Sequence, residues 1–215
     1  MTKWAFISDF DGTISKKDFY WIIIEKFYPE GYDLYKRWKN EELEDIEFLS
    51  TVFASIDLTK EELSEVIHGI PLDETVFPLI EKVKKAGGDF IILSAGTDYY
   101  IHEIIRHYDL PNIPVFSNRG SYENGYIQVY LDEQDPFYSE RYGIDKAAVL
   151  ADLKKQYDHV FYFGDSEPDA HPAKLADHMF AKDRLINILQ EQNVPFEPVD
   201  SFAEVQHRLT ENGWI

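Results

Sequence analysis

The chain has 215 residues, 44% of them hydrophobic and 15% aromatic, which fits one domain or a core with a smaller insert and excludes global disorder. A formal net charge of -19 disfavours binding to nucleic acids and to anionic membranes. The absence of cysteine excludes disulfides, thiolate nucleophiles and cysteine-based zinc sites. No signal peptide or membrane-length apolar run is apparent, so we expect a cytoplasmic protein.

The first predicted element is a buried strand over residues 4–8, which leads into Asp9-Phe10-Asp11-Gly12-Thr13. Two carboxylates therefore follow a strand end two positions apart, and each would raise the pKa of the other unless a cation lay between them. Carboxylate oxygens suit Mg²⁺. Gly12 allows a sharp turn or the close approach of a ligand. The alternative is an ordinary loop with an Asx turn.

Residues 15–71 carry helical periodicity and no strong strand pattern. Apolar residues recur at helical spacing in four stretches, and the pair Thr59 and Glu62 forms a capping-box pattern that opens the fourth. The position of these helices, between the first strand and the next α/β element, predicts a helical-bundle cap over 15–71 inserted into a core formed by 1–14 and 72–215.

The remainder alternates between helices and strands, which predicts an α/β fold with a doubly wound parallel sheet. We predict helices over 76–83, 144–157, 185–192 and 202–209, a helix that contains Tyr100 and Ile105, and a helix that starts at Pro168. The predicted strands are 89–93, 113–116, 126–130, 159–163 and 179–181. Residues 132–142 are expected to form a polar loop. In such sheets ligands bind at the carboxyl ends of the strands. Asp9, Ser94 and Asp165 all follow predicted strands, so we expect them at one edge of the sheet.

These stretches carry a family resemblance. Asp9 to Thr13, Ser94 after the second strand, Lys146 near a helix start, and Gly164-Asp165 followed by Asp169 resemble, in order, the four signatures of the haloacid-dehalogenase-like (HAD) phosphohydrolases. Taken singly, some of these residues have simpler alternatives: Ser94 as a helix cap, Lys146 as a surface residue, and Asp165 with Asp169 as acids that suit a helix N-terminus.

The resemblance implies a Mg²⁺-dependent phosphatase that acts on a small phosphate ester. It implies Asp9 as the nucleophile on phosphorus and Asp11 as the general acid and base. Mg²⁺ would be held by Asp9, Asp11 and Asp165, with Asp169 either supporting the metal or orienting Lys146. The residues implied in holding the phosphoryl oxygens are Gly12, Ala95, Ser94 and Lys146.

The helical cap places the chain beside the phosphoserine phosphatase-like branch, in which Asp18 aligns with a residue that contacts the substrate amine. Ser166 and Pro168 depart from the usual fourth signature of that branch, and the stretch from Gly164 to Asp183 is similar to the methionine-salvage phosphatases. A related phosphatase of another substrate, a phosphomutase and a non-catalytic regulatory binder remain as alternatives. We expect a monomer or weak homodimer, with no nucleic-acid partner and no membrane partner.

Overall fold

The computed structural model describes residues 2–110 and 112–215. Its elements, in chain order, are β1 (Trp4–Ser8), α1 (Phe19–Phe27), α2 (Gly31–Lys39), α3 (Asp45–Ala54), α4 (Lys60–His68), α5 (Val76–Lys85), β2 (Asp89–Thr97), α6 (Asp98–His107), β3 (Val115–Glu123), β4 (Tyr126–Tyr130), β5 (Tyr138–Ser139), β6 (Gly143–Ile144), α7 (Lys146–Leu153), β7 (His159–Gly164), a 3-10 turn (Glu167–Asp169), α8 (Ala170–Ala173), β8 (His178–Ala181), α9 (Asp183–Glu191), β9 (Glu197–Pro198) and α10 (Phe202–Glu211).

These elements form two compact units. The first comprises the described residues of Met1–Lys16, Leu72–Leu93 and Lys146–Ile215, and the second those of Lys17–Pro71 and Ser94–Asp145. Strand β2 runs through the boundary between Leu93 and Ser94, so the two units share that strand along the chain.

The first unit is built on parallel strands in the order β2-β1-β7-β8-β9. Every residue of β1 is buried, as expected for a strand in a parallel sheet that is covered on both faces. Ser8, its last residue, lies opposite Ile92 of β2 and Phe163 of β7. Since the chain passes from β1 to β2 on one side and later to β7 on the other, the carboxyl end of β1 is a topological switch point. The predicted α/β class with a doubly wound, mainly parallel sheet is confirmed.

The second unit contains α1 to α4, α6 and the antiparallel pair β3 and β4. Aromatic side chains tie its parts together: the ring of Phe19 in α1 lies 4.7 Å from that of Tyr100 in α6 and 5.8 Å from that of Phe53 in α3. The predicted hairpin turn is confirmed, because Asn124 and Gly125 both have positive φ, at 47° and 105°, as a tight turn between two strands requires.

The cap boundaries stay a prediction. Residues 15–71 were expected to form an insert of their own, whereas α1 to α4 share the second unit with residues 94–145. The contacts of α6 with α4, and of β4 with α3, explain this grouping. Among the described residues, no helix has the length and apolarity that a membrane crossing needs. The cytoplasmic location also stays a prediction.

Several element predictions are confirmed and others are wrong. The capping box is present: Glu62 N donates to Thr59 Oγ1 at 3.2 Å, and Thr59 N donates to Glu62 Oε2 at 2.8 Å. The helix predicted over 144–157 is shorter, at Lys146–Leu153, and Pro168 lies in a 3-10 turn rather than in the first turn of an α-helix. The strand predicted over 113–116 instead spans Val115–Glu123, because its second half pairs with β4. The polar loop predicted over 132–142 contributes β5, which pairs with β6.

Candidate active site

Asp9 follows the last residue of β1. Its backbone N–H donates to Phe163 O at 2.9 Å, which continues the pairing with β7 by one residue. The residue is 4% exposed. Asp9 therefore lies at the carboxyl end of a buried central strand, where a ligand is expected in a sheet of this topology. Asp11 lies two residues further on, half-buried in the turn.

Lys146 connects two carboxylates within the first unit. Its Nζ lies 2.5 Å from Asp9 Oδ1 and 2.7 Å from Asp169 Oδ1, and the three side chains are at most 6% exposed. A solvated surface lysine was the alternative for this residue, and its burial shows that this alternative is wrong. A buried ammonium needs such partners, because an unpaired charge is costly away from water.

Asp169 accepts four hydrogen bonds. Its Oδ1 accepts from Lys146 Nζ at 2.7 Å and from Tyr162 Oη at 2.7 Å. Its Oδ2 accepts from the backbone N–H groups of Asp165 at 3.1 Å and Ser166 at 3.3 Å. A carboxylate has about four lone-pair sites, so these donors fill its capacity.

Asp165 lies against the turn that follows β1. Its Oδ1 accepts from Thr13 Oγ1 at 3.0 Å. A Cβ added to Gly12, whose φ is +81°, would lie 2.5 Å from Asp165 Oδ2. Glycine is needed at this position both for its backbone conformation and for the close approach of that carboxylate.

The pKa values of Asp9 and Lys146 depend on burial and on the charges around them. Burial raises the pKa of Asp9 to about 7, although the Lys146 ammonium opposes this, and the neighbouring charges of Asp169 and Asp11 add to the rise. Burial alone would lower the pKa of Lys146, but the carboxylates of Asp169 and Asp9 outweigh it and hold that pKa well above its ordinary value. Lys146 therefore stays charged at neutral pH.

A metal ion fits this donor set. One carboxylate oxygen from each of Asp9, Asp165 and Asp169 lies within 4.8 Å of the others. These are hard oxygen donors, which suit a divalent cation such as Mg²⁺. Because the oxygens of Asp169 already accept four hydrogen bonds, Asp9 and Asp165 are the better candidates to contact the ion directly.

Ser94 and Ala95 belong to the second unit. Ser94 is fully buried, and its Oγ accepts from Gly96 N at 3.0 Å. It does not cap helix α6, because β2 continues to Thr97, whose Oγ1 accepts from Tyr99 N at 3.3 Å. The helix-cap alternative for Ser94 is therefore wrong.

Asn118 holds Ala95 in place within the second unit. Its Nδ2 donates to Ala95 O at 2.8 Å and to Tyr142 O at 2.8 Å. The sequence analysis missed Asn118 and Tyr162, and it named Thr13 in the first signature without giving it a role. The two acceptors of Asn118 lie 23 and 24 residues away along the chain, so no local sequence pattern indicates them.

Asp18 also belongs to the second unit, at the position before α1. Its side chain makes no capping hydrogen bond to the helix. Burial raises its pKa, while a hydrogen bond with Tyr20 and the charge of Lys39 oppose the rise. Asp18 is therefore a half-buried carboxyl that interacts with Tyr20 and Lys39 and does not cap its helix. The structure therefore brings together Asp9, Asp11, Gly12, Lys146, Asp165 and Asp169, and it places Ser94, Ala95 and Asp18 in the other unit.

Comparisons with known proteins agree with this picture. The model of a family described as "Putative Phosphatase" matches residues 5–192. A 2-hydroxy-3-keto-5-methylthiopentenyl-1-phosphate phosphatase from Bacillus cereus (strain ATCC 10987 / NRS 248) is 29% identical over 205 residues, which are 94% of this chain and 93% of that protein.

Solved structures share the fold. A phosphoserine phosphatase, solved as an analogue of its phospho-aspartyl intermediate, has a TM-score of 0.72 at 19% identity and covers 97% of this chain and 99% of its own. A HAD family hydrolase from Salmonella enterica subsp. enterica serovar Typhi has a TM-score of 0.71 at 15% identity, over 86% of this chain and 64% of that one. The chain therefore has the HAD fold of these solved structures. On the match over residues 5–192, the chain belongs to the "Putative Phosphatase" family and is a phosphatase.

Proposed function

We propose that the chain is a Mg²⁺-dependent phosphomonoesterase that works through an aspartyl-phosphate on Asp9. The observation that carries this proposal is the buried Asp9 carboxylate at the end of β1, within 2.5 Å of a lysine ammonium. We infer that a carboxylate in that position would attack phosphorus, and that the adjacent cation would offset charge on an incoming phosphoryl group.

The proposed reaction has two steps. In the first, an Asp9 oxygen bonds to phosphorus while the bond from phosphorus to the ester oxygen breaks, and Asp11 gives its proton to the leaving alkoxide. In the second, Asp11 takes a proton from water, whose oxygen attacks phosphorus and releases Asp9 and inorganic phosphate. Asp11 is half-buried beside Asp9, which supports this exchange of roles.

The remaining site residues would bind Mg²⁺, orient Lys146 or bind the phosphoryl group. Asp9, Asp165 and the backbone carbonyl of Asp11 would hold Mg²⁺, which when bound neutralises charge on the phosphoryl group. We assign Asp169 to orienting Lys146, because four donors already occupy its oxygens. We propose that the phosphoryl oxygens are bound by the Lys146 ammonium, the Ser94 hydroxyl and the N–H groups of Gly12 and Ala95. The Gly12 N–H now donates to Ser15 Oγ at 3.2 Å, a long bond with which a phosphoryl oxygen would compete.

For the substrate we propose a small phosphorylated metabolite of the methionine-salvage type. The support is the name of the Bacillus cereus relative, which matches over 94% of this chain. Asp18 is the residue of the second unit that we propose as a substrate contact, because it is half-buried without capping its helix.

A hydrolysis assay tests the function. With an aryl phosphate as substrate, we expect turnover in Mg²⁺, loss of turnover in EDTA with recovery on adding Mg²⁺ back, and little turnover in Ca²⁺, which prefers higher and looser coordination. Full turnover in EDTA, or equal turnover in Ca²⁺, would count against the proposal. A panel of metabolite phosphates at saturating Mg²⁺ then identifies the substrate.

A further inference from the structure

Tyr162 carries a buried hydroxyl to which the proposed reaction gives no role. The residue lies in β7 between Phe161 and Phe163 and is 0% exposed. A third phenylalanine would fill nearly the same volume, and a buried hydroxyl is tolerated only with a partner. The partner here is Asp169 Oδ1, at 2.7 Å. The hydroxyl, rather than the ring, is therefore the feature that needs an explanation.

The strand geometry directs this hydroxyl to Asp169. Tyr162 and Gly164 are two residues apart in β7 and so face the same side of the sheet. A Cβ at Gly164 would overlap the carboxyl group of Asp169. The carboxyl group thus lies over the backbone of Gly164, which brings it within reach of the tyrosine from the same strand.

Tyr162 and Lys146 share one oxygen atom. Both donate to Asp169 Oδ1, each at 2.7 Å, while Lys146 also lies 2.5 Å from Asp9 Oδ1. Burial raises the pKa of Tyr162 well above its ordinary value, and the charges of Asp169 and Asp9 add to the rise. The phenol therefore stays protonated and remains a donor. The Tyr162 hydroxyl weakens the hydrogen bond between Asp169 Oδ1 and the Lys146 ammonium, because two donors then share one acceptor atom.

We propose that Tyr162 is a positioning residue, whose hydroxyl shares Asp169 Oδ1 with Lys146 and so keeps the ammonium group beside Asp9, where a phosphoryl oxygen can bind it. This inference rests on the proposed function, which assigns Lys146 to the phosphoryl group. Without the hydroxyl, Asp169 Oδ1 draws the ammonium towards itself and the phosphoryl group binds more weakly.

The experiment compares Tyr162→Phe with Tyr157→Phe. Tyr157 Oη donates to Asp89 Oδ2 at 2.8 Å, so the control deletes the same kind of tyrosine–aspartate hydrogen bond elsewhere in the first unit. For both variants and the wild type, the measurements are KM and kcat for an aryl phosphate, the inhibition constant Ki of inorganic phosphate, and the melting temperature.

We expect Tyr162→Phe to raise Ki and KM together by about fivefold, the worth of one ordinary hydrogen bond, with a smaller change in kcat. Tyr157→Phe should leave Ki within about twofold of the wild type. Unchanged Ki in Tyr162→Phe, or equal changes in both variants, would overturn the inference while leaving the proposed function standing. A wild-type protein that neither hydrolyses the ester nor binds phosphate would overturn the proposed function and this inference with it.

A double-mutant cycle gives a second readout that a loss of stability would not produce. If the hydroxyl acts through Asp169, adding Tyr162→Phe to Asp169→Ala should change Ki by less than about twofold, because the shared carboxylate oxygen is already gone. A further fivefold rise in that background would show that Tyr162 acts by another route and would overturn the inference.

Discussion

At the scale of residues, one buried positive charge serves two carboxylates. Lys146 lies between Asp9 and Asp169, so the three groups together carry one negative charge when all are ionised. The Asp165 carboxylate adds a second negative charge, and a phosphate monoester dianion would add two more negative charges. Accumulating negative charge in a buried site is costly, which is the physical reason to expect a divalent cation beside Asp9 and Asp165.

Gly12 tests whether the position of Asp165 matters. In Gly12→Ala, the new Cβ would meet Asp165 Oδ2 at 2.5 Å and the backbone would keep φ near +81°. We expect kcat/KM to fall at least about tenfold and the free energy of unfolding to fall by about 1–2 kcal/mol. Steady-state kinetics and urea unfolding measure the two effects.

Gly87→Ala is the matched control. Gly87 has φ of +82° with nothing within 4 Å of an added Cβ, so this variant has the same backbone strain without touching the site. It should lose a similar amount of stability and keep its activity. Equal losses of activity in both variants would show that strain, and not the displacement of Asp165, explains the effect.

The sequence indicated which residues lie near one another where they follow predicted strands or match a family signature. Asp9, Lys146 and the pair Asp165 and Asp169 lie far apart along the chain. Positions after predicted strands indicated a shared sheet edge for Asp9 and Asp165, whereas Lys146 and Asp169 entered through the family resemblance. The structure places these four residues in one unit, and their roles stay a prediction. Tyr162 was missed because an aromatic residue in a buried strand looks like core whether or not its hydroxyl has a partner.

At the scale of elements, Asp73 links the starts of two helices in the first unit. Its Oδ1 accepts from the Thr75 hydroxyl at 2.6 Å, just before α5, and its Oδ2 accepts from Phe202 N, the first residue of α10, at 2.9 Å. N–H groups at a helix start have no partner within the helix. The carboxylate satisfies one of them and fixes α10 beside α5, with which it is in contact.

Asp73 gives a prediction with a defined pH dependence. Burial by itself would raise the pKa of Asp73, but hydrogen bonds from Thr75 and Phe202 outweigh it and hold the pKa below its ordinary value. Because the folded-state pKa is the lower one, the stabilisation is complete above the unfolded-state pKa, near 3.9, and is lost as pH falls through the folded-state value.

Asp73→Ala should therefore lower the free energy of unfolding by about 1 kcal/mol at pH 7, and the difference from the wild type should shrink below about pH 4. Urea unfolding across this pH range makes the measurement. Asp200→Ala, which removes an exposed acid before the same helix, is the control for loss of charge alone. A difference that is the same at pH 7 and at low pH would contradict the account.

Elements were predictable where the pattern is local. Helical periodicity and the capping box anticipated α1 to α4, and uninterrupted apolar runs anticipated β1 and β7. The extent of β3 and the short strand β9 were missed, because both depend on pairing with strands distant in sequence. The middle of β3 contains Asn118, Arg119 and Gly120, which favour turns or surface positions and gave no strand signal.

At the scale of the whole molecule, a strongly acidic protein has to bind an anionic ester. The net charge of -19 repels such a substrate at long range, so its binding depends on local positive groups and on metal. In the parallel sheet, β1 ends at the switch in strand order with β7 beside it, and this is where we propose that the ester binds. The sequence predicted this strand-end placement and a helical cap over residues 15–71, whereas the grouping of residues 94–145 with the cap helices depends on packing between segments distant in sequence.

The most direct test of the central claim, that Asp9 is the nucleophile and Asp11 the acid and base, is single-turnover trapping with a labelled aryl phosphate. Asp9→Asn should yield no covalent phosphoenzyme, because an amide is a poor nucleophile. Asp11→Asn should accumulate phosphoenzyme from this good leaving group, while its hydrolysis of alkyl phosphates falls by about 10²–10⁴-fold. A phosphoenzyme in Asp9→Asn, or full alkyl phosphatase activity in Asp11→Asn, would contradict the account.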